Sequence, residues 1–210
     1  MPLYNNKFNY ELYKLVKEKA NCLDVGCWDG TMGYKLIKGK GCIVDGVDFN
    51  SEALQKAKIN GYSCLFNINL NSESIDKELL KIEKKYDCII CADVIEHLIS
   101  PKRLLGGIKR NLDKKGILVI SVPNIAFIVQ RIKLFFGLFH YSELGGIMDS
   151  THLHFYTAAT IKSLIEQSGY EIIYFKGYST VQNKYFILKF LAGIYPRLFS
   201  MQFKIVARPI

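Results

Sequence analysis

The residues with the clearest chemical potential lie in a glycine-containing turn, LDVGCWDG, at residues 23–30. Gly26 follows an apolar stretch where the chain must turn sharply, and Gly30 precedes the next helical segment. Glycine allows a backbone to approach a ligand closely, and a helix start offers unpaired N–H groups that suit a carboxylate or phosphate. The turn is therefore predicted to be a ligand-binding loop.

A second acid supports the same site. Asp48 ends the next apolar segment, and it follows Asp24 at close to the ~20-residue spacing at which an acid after a second strand holds ribose hydroxyls. A charged hydrogen bond of that kind contributes on the order of 1.5–3 kcal/mol. Trp28 stands where a dinucleotide fingerprint needs glycine, and its indole would obstruct a pyrophosphate. A nicotinamide-dependent oxidoreductase is therefore the less favoured interpretation.

The pattern acid-x-Gly-x-x-x-Gly at Asp24, Gly26 and Gly30 resembles motif I of class I S-adenosylmethionine-dependent methyltransferases, although that family usually has glycine at Trp28 as well. The segments YDCIICADVIEHLISP (86–101) and SVPNIAF (121–127) resemble the same family. IMDSTHLHFYT and LIEQSGY, within 147–170, resemble a narrower group of small methyltransferases associated with cell-surface polysaccharide biosynthesis.

This resemblance covers roughly residues 20–180. It implies a Rossmann-like α/β fold, in which a seven-stranded, mostly parallel sheet with an antiparallel final strand has helices on both faces. It also implies that S-adenosylmethionine is the cofactor and S-adenosylhomocysteine the product.

The resemblance assigns cofactor-binding roles by position. Gly26 and Gly30 shape the loop around the methionine part of the cofactor, Asp24 orients that loop or meets the amino group, and Asp48 binds the ribose hydroxyls. The other expected contacts are Cys27 and Trp28 in the turn, Phe49, Asn69 and Leu70 around the adenine, and Asp93, Val94 and His97 after the fourth strand. Ordinary turns and strand ends are the alternative interpretation.

The four histidines are the candidates for acid–base chemistry, since a hydroxyl acceptor must lose a proton and imidazole has a pKa near ~6.5. His152 and His154 share a face if their loop is extended, so we predict a base and its orienter, with Asp149 holding an imidazole tautomer. The alternative is that both histidines hydrogen-bond the loop to the sheet. His97 follows the fourth strand, where ligands bind in open α/β folds, and His140 is predicted to end a helix.

No metal site is predicted. His-Leu-His with one upstream acid offers too few ligands. Cys88 and Cys91 form a C-x-x-C pair, but a buried strand sends residues three apart to opposite faces, and no second pair completes a zinc site. The six cysteines are therefore predicted to be reduced core thiols, which indicates a cytoplasmic protein.

Apolar patterning predicts alternating strands and helices, as in an open parallel sheet covered on both faces. The predicted strands are residues 22–25, 43–48, 62–66, 86–92, 116–122, 170–175 and 203–207. The predicted helices are residues 31–38, 51–60, 74–84, a helix from Pro101 that ends at residues 114–116, 124–139 and 158–168. Ser51, Ser100 and Thr157 are the predicted helix caps.

We predict one domain over residues 1–210, with an insertion or lid at 124–156 and a C-terminal elaboration at 179–202. The insertion is expected to roof the acceptor pocket. In the C-terminal elaboration, Lys184, Lys189 and Arg197 accompany aromatic and apolar residues. Peripheral contact with an anionic membrane surface or a partner enzyme is therefore an alternative to core packing.

The formal net charge of +9 favours anionic partners, such as a nucleotide-linked or phosphorylated sugar acceptor. The sequence has no aromatic–basic strand and no zinc-finger pattern, so nucleic acid is not an expected partner. No apolar run reaches the ~18 residues of a membrane span, and the first residues do not resemble a secretory leader. The oligomeric state stays open.

The resemblance implies methyl transfer to an oxygen of a sugar or sugar-linked metabolite in surface-polysaccharide biosynthesis. Methylation of a quinone precursor or another small aromatic hydroxyl is the alternative, because the subgroup with Glu-His-Leu after the fourth strand, here residues 96–98, includes such enzymes.

Overall fold

Short apolar runs form the strands of one sheet in the order β3-β2-β1-β4-β5-β7-β6. The strands are β1 (Asn21–Val25), β2 (Ile43–Asp48), β3 (Leu65–Asn67), β4 (Tyr86–Ala92), β5 (Leu112–Pro123), β6 (Tyr170–Tyr178) and β7 (Gln202–Pro209). β7 runs antiparallel to both β5 and β6, and the other pairs are parallel. This computed structural model, which describes residues 8–179 and 186–210, confirms the predicted sheet.

Helices connect the strands. They are α1 (Tyr10–Tyr13), α2 (Thr31–Lys40), α3 (Ser51–Ile59), α4 (Ile75–Leu79), α5 (Pro101–Lys109), α6 (Ile128–Phe135), α7 (Ala158–Gln167), α8 (Phe186–Ile194) and α9 (Pro196–Phe199), with a 3₁₀ turn at Ile95–His97. Proline begins α5 as predicted, and Leu104, Leu105 and Ile108 form its buried face.

Buried apolar side chains form two main clusters, and the alternation along β4 divides them. Cys88 and Ile90 belong to one cluster, whereas Ile89 and Cys91 belong to the other. Since successive strand residues point to opposite faces, the two clusters lie on opposite sides of the sheet. The prediction that the C-x-x-C pair is split between two faces is therefore confirmed.

Two predicted boundaries are wrong because hydrogen bonds from polar side chains end the regular structure there. β3 begins at Leu65 and not at residue 62, since Tyr62 is buried with its hydroxyl bound to Asp24. α4 ends at Leu79 and does not continue to residue 84, because the side-chain amide of Asn111 donates hydrogen bonds to the backbone carbonyl groups of Ile82 and Lys84.

Two further boundaries differ for backbone reasons. β5 begins at Leu112, before residue 116, because Leu112 pairs with Tyr86 of β4. The helix predicted at 124–139 is limited to α6, Ile128–Phe135. Asn124 instead forms a bridge with Tyr156.

The predicted helix caps have three different outcomes. Thr157 caps α7 in a reciprocal capping box with Thr160, as predicted. Asn50, and not Ser51, caps α3, because Asn50 is extended and its side chain accepts from the Ala53 N–H at 3.0 Å. Ser100 precedes α5 without a side-chain cap hydrogen bond.

The predicted insertion, residues 124–156, packs around a small cluster of its own. Phe127, Ile147 and Met148 are buried there, whereas α6 has no buried residue. Part of the predicted elaboration at 179–202, including Lys184, lies outside the described residues. Within the described part of the chain, none of the helices has the length and apolar character needed to cross a bilayer.

Candidate functional site

The carboxyl ends of β1, β2, β3 and β4 lie along one edge of the sheet, because these strands are parallel neighbours. β2 and β3 extend the sheet to one side of β1, whereas β4 begins the other side. Ligands of open α/β folds bind where the strand order reverses in this way. The loops after these four strands therefore form the expected binding edge.

The turn after β1 adopts a backbone that glycine favours. Gly26 and Gly30 have φ of +70° and +79°, and Trp28 between them has φ of +47°. A Cβ on Gly26 would lie 2.7 Å from Cγ2 of Val94, so the turn directly contacts the segment after β4. The Trp28 side chain is 40% exposed, and its backbone N–H donates to Asp48.

Asp48 holds the turn from the end of β2. Its Oδ2 accepts from the Trp28 N–H and its Oδ1 from the Asn50 N–H, both at 2.9 Å. A carboxylate has about four acceptor positions, so these two bonds leave capacity for a diol. Phe49, the next residue, is 66% exposed and offers an apolar ring. A carboxylate acceptor next to an exposed ring fits the ribose and adenine of an adenosyl cofactor.

Three other predicted cofactor contacts have different environments. Cys27 directs its sulfur into the protein, where a Cβ on Gly46 would lie 2.7 Å from it, so only the Cys27 backbone belongs to the turn. Asn69 is exposed, and its Oδ1 accepts from the Asn71 N–H at 2.9 Å. Leu70 is half-buried against the main core.

Asp24 lies beneath the turn and is bound by a tyrosine that the sequence analysis placed in a strand. The Tyr62 hydroxyl donates to Asp24 Oδ2 at 2.6 Å and accepts from the Gly33 N–H at 2.9 Å. Burial raises the pKa of Asp24 to about 7, and the nearby Asp48 charge adds to this, whereas the Tyr62 hydrogen bond opposes it. Asp24 is therefore linked through Tyr62 to the first turn of α2, by a partner that no local spacing indicated.

Asp93, the residue directly after β4, is hydrogen-bonded to side chains from three other parts of the chain. Its Oδ1 accepts from the Ser121 hydroxyl at 2.9 Å and from Gln202 at 3.1 Å, and its Oδ2 accepts from Asn9 at 3.4 Å. These bonds hold Asp93 at φ +53°, a left-handed conformation. Burial raises the pKa of Asp93, and the hydrogen bonds from Ser121 and Asn9 oppose that rise. Asp93 thus fixes the geometry of the loop that leads into the 3₁₀ turn.

A three-residue cluster follows Val94. One possible ligand atom from each of Glu96, His97 and His152 lies within 4.8 Å of the others. The rings of His97 and His152 meet edge to face, with their centroids 4.7 Å apart. The backbone carbonyl of Glu96 accepts from the N–H groups of Leu153 and His154 at 2.8 and 3.0 Å, which ties the insertion to the 3₁₀ turn. We call Glu96, His97 and His152 the acceptor-side cluster.

Glu96 is the most unusual member of the acceptor-side cluster. The residue is 1% exposed, and neither carboxylate oxygen has a hydrogen-bond partner within the described structure. Burial raises the pKa of Glu96 well above its usual range, and the negative charge of Asp93 adds to this. A buried carboxyl without a donor is energetically costly, so such a group is a candidate functional residue.

His97 is oriented by Thr151 and, through it, by Asp149. The Thr151 hydroxyl donates to Asp149 Oδ1 at 2.6 Å and lies 3.0 Å from Nδ1 of His97. Since the hydroxyl proton is committed to Asp149, Thr151 accepts from the His97 Nδ1–H, which leaves Nε2 as the nitrogen that can supply a lone pair. Partial burial raises the pKa of Asp149, but the hydrogen bonds from Thr151 outweigh it and hold that pKa below its ordinary value.

His152 is buried and has the same tautomer. Its Nδ1 lies 3.2 Å from the Ile147 carbonyl, which can only accept, so Nδ1 carries the proton and Nε2 the lone pair. Burial and the nearby His97 lower the pKa of His152, against smaller opposing contributions from the Ile147 carbonyl and Asp149. A neutral imidazole is therefore favoured at this position.

The other two histidines have other neighbours. The His154 ring stacks on Tyr156 with centroids 6.1 Å apart, so the structure pairs His152 with His97 and gives His154 a separate environment. His140 is exposed in the loop after α6 and does not end that helix as predicted, because α6 stops at Phe135. Sequence reasoning missed Glu96 and Thr151 as partners, although both lie next to residues that it selected.

Comparison with known proteins identifies the family of this chain. A family model described as "Methyltransferase domain" matches residues 7–174. A ubiquinone biosynthesis O-methyltransferase of Klebsiella pneumoniae is 26% identical over 102 residues, 49% of this chain and 42% of the relative. One of Coxiella burnetii is 29% identical over 121 residues, 58% of this chain and 51% of the relative. The chain thus spans about half the length of the curated relatives it matches.

Solved structures share the fold at low sequence identity. A SAM-dependent methyltransferase from Archaeoglobus fulgidus has a TM-score of 0.63 at 18% identity, covering 94% of this chain and 89% of that one. One from Mesorhizobium loti has a TM-score of 0.64 at 15% identity, covering 95% and 96%. Magnesium protoporphyrin IX methyltransferase from Synechocystis, solved with bound SAH, has a TM-score of 0.62 at 16% identity, covering 96% and 79%.

Proposed function

This chain belongs to the methyltransferase-domain family, and we propose that it transfers a methyl group from S-adenosylmethionine to a hydroxyl oxygen of a small molecule. One observation carries the proposal. The left-handed turn after β1, with Asp48 bound to it, contacts Val94, and the acceptor-side cluster begins two residues after Val94. A nucleoside-binding loop and a polar acceptor group thus meet at the edge where the strand order reverses.

The turn and the ends of β2 and β3 are proposed to hold the cofactor, which supplies a methyl group on a sulfonium, an excellent leaving group. Asp48 binds the ribose hydroxyls, and Phe49 and Leu70 contact the adenine. Gly26 and Gly30 permit the turn that surrounds the methionine part. Asp93 keeps the neighbouring loop in place through its bonds to α1, β5 and β7.

The insertion is proposed to hold the acceptor. Its backbone is bonded to the carbonyl of Glu96, and this contact places His152 against His97. Methyl transfer depends mainly on holding the acceptor oxygen in line with the reacting methyl group. A hydroxyl acceptor must also lose its proton, and the acceptor-side cluster is the polar group placed to promote that loss. His152 and Asp149 therefore remain proposed catalytic-site residues, joined by His97, and His154 is proposed to line the same loop.

A sugar or sugar-linked metabolite in surface-polysaccharide biosynthesis is the acceptor that we propose first. Its support is the resemblance of residues 147–170 to methyltransferases of that kind and the net charge of +9, which attracts phosphorylated or nucleotide-linked sugars. A small aromatic hydroxyl, such as that of a quinone precursor, is the second candidate. It is favoured by the printed names of the curated relatives and by the exposed aromatic side chains of the insertion, among them Phe135, Phe136 and Phe139.

A product-release screen separates these acceptors. The purified protein is incubated with S-adenosylmethionine and either sugar nucleotides or dihydroxybenzene derivatives, and S-adenosylhomocysteine is quantified by mass spectrometry. We expect release with a sugar-linked acceptor, and NMR of the product locates the new O-methyl group. Release only with the aromatic acceptors selects the second candidate. The absence of both cofactor binding and product release would overturn the proposed function.

A further inference from the structure

The acceptor-side cluster brings together two imidazole rings and a buried carboxyl, three groups that can each supply a lone pair to a cation. In both rings the Nδ1–H is committed, to Thr151 for His97 and to the Ile147 carbonyl for His152. Each ring therefore has its lone pair on Nε2. Both oxygens of the buried Glu96 carboxyl are unpartnered within the described structure.

A positive charge would stabilise the buried Glu96 carboxyl. The carboxyl is costly as it stands, because it has lost its bonds to water and neither of its oxygens has a hydrogen-bond partner among the described residues. In a tetrahedral Zn²⁺ site with bonds of about 2.1 Å, neighbouring ligand atoms are about 3.4 Å apart, whereas the three possible ligand atoms here lie within 4.8 Å of one another. Small side-chain movements are enough to complete such a site.

We propose that Glu96, His97 and His152 bind a divalent transition-metal cation of the Zn²⁺ type, through one carboxylate oxygen and two imidazole Nε2 atoms. Two imidazole nitrogens and one carboxylate are ligands that Zn²⁺ accepts readily, whereas Mg²⁺ and Ca²⁺ prefer oxygen ligands alone. Three protein ligands also leave a coordination position open, as in catalytic zinc sites.

The residues behind the cluster are those that a metal site needs. A ligating histidine almost always donates its other ring N–H to a carboxylate, a carbonyl or a hydrogen-bonded group, which fixes the tautomer and the ring orientation. Here Thr151, backed by Asp149, serves His97 at 3.0 Å, and the Ile147 carbonyl serves His152 at 3.2 Å. Asp149 thus acts as a positioning residue behind a ligand.

The prediction of no metal considered only His152, His154 and Asp149, which are neighbours in the chain. The structure replaces two of them with Glu96 and His97 from the 3₁₀ turn after β4. The insertion delivers His152 to that turn through its hydrogen bonds to the Glu96 carbonyl.

The catalytic role of the cation rests on the proposed function, whereas its binding does not. A hydroxyl at the open position loses its proton to water more easily, because the cation stabilises the resulting oxygen anion. An acceptor with two adjacent oxygens, such as a vicinal diol or a catechol, is the class that such a site favours. The histidines then act as ligands, and solvent takes the proton.

Cation binding is tested on the full-length, untagged protein after removal of metal with a chelator. Co²⁺ is titrated in as a spectroscopic probe, and bound metal is counted by mass spectrometry after Zn²⁺ loading. We expect one equivalent bound, without thiolate charge-transfer bands, and a loss of at least about tenfold in affinity in Glu96→Gln and His152→Asn. His154→Asn and His140→Asn are matched controls, which should bind as the wild type does. No stoichiometric binding, or unchanged binding in both cluster variants, would overturn the proposal.

A second measurement needs no variant. On addition of Zn²⁺ to the wild type, the imidazole NMR signals of His97 and His152 should shift, and those of His140 and His154 should not; the opposite pattern contradicts the proposal. Calorimetry with S-adenosylhomocysteine on the same samples keeps the two proposals separate. Cofactor binding without cation binding rejects only the metal site, whereas cation binding without cofactor binding rejects only the proposed function.

Discussion

The two sides of the binding edge are built in different ways. The cofactor side consists of a single turn and the strand end beside it, and its central contact, from the Trp28 N–H to Asp48, joins adjacent strands. The acceptor side joins the 3₁₀ turn after β4 to a distant insertion, through the Glu96 carbonyl and the paired rings of His97 and His152. The central contact of the first side joins residues 20 apart in the chain, whereas the contact of His97 with Thr151 on the second side joins residues 54 apart. The two sides should therefore respond to different substitutions.

Asp48→Ala should have the largest effect, and it should be confined to the cofactor side. Losing the charged hydrogen bonds to ribose is expected to weaken S-adenosylhomocysteine binding by roughly ten- to a hundredfold. Calorimetry measures the affinity, with Glu52→Gln, an exposed acid on the following helix, as control. Unchanged affinity in Asp48→Ala would reject the ribose assignment.

Asp24→Asn should change the pH dependence of stability without touching the acceptor side. The folded-state pKa of Asp24 is raised to about 7, above its ordinary value of 3.8, so the folded protein retains a proton that the unfolded chain has lost. Stability from this group therefore falls as pH rises from about 4 to 7, and it is level above that range.

Between pH 5 and 8 the wild type should lose roughly 3 kcal/mol of unfolding free energy through Asp24, and Asp24→Asn should not. Urea denaturation at the two pH values measures this. The exposed Asp113→Asn serves as the control and should behave as the wild type does. An equal pH dependence in wild type and Asp24→Asn would show that burial does not perturb this carboxyl.

Thr151→Val should affect only the acceptor side. Removing the hydroxyl that links Asp149 to His97 is expected to lower turnover about tenfold, as for other groups that orient a functional histidine, while cofactor affinity stays the same. Thr151→Ser retains the hydroxyl and should restore turnover. A matching loss in cofactor affinity would mean that the two sides are coupled.

Trp28→Gly should have the smallest effect. Glycine suits the φ of +47° at this position, a change that favours the folded turn by about 1 kcal/mol and is partly offset by the greater freedom of glycine in the unfolded chain. We expect cofactor affinity to change by less than about fivefold, since 1 kcal/mol corresponds to about a factor of five. A tenfold weakening by calorimetry would assign the indole a direct role in cofactor binding.

The sequence was sufficient for the parts of the fold that depend on local pattern. Strand β4, the proline start of α5 and the Thr157 cap follow from apolar runs and capping chemistry, and the structure has all three. The C-terminal end of α4 depends instead on Asn111, a residue far along the chain whose side-chain amide donates a hydrogen bond to the carbonyl group of Ile82. No periodicity near α4 indicates such a partner.

The candidate site divides in the same way. Gly26, Gly30 and Asp48 were indicated by spacing, because a turn and the next strand end are close in sequence. The pairing of His152 with His97 depends on how the insertion folds back on the sheet edge. The sequence places His152 and His154 together, but it contains no signal for which ring meets the 3₁₀ turn.

The central claim is that the edge at β1 and β2 binds an adenosyl sulfonium cofactor. Isothermal titration calorimetry of the wild-type protein with S-adenosylhomocysteine, and separately with NAD, tests it directly. Saturable binding of S-adenosylhomocysteine and no binding of NAD is the predicted result. Binding of NAD without binding of S-adenosylhomocysteine would contradict it.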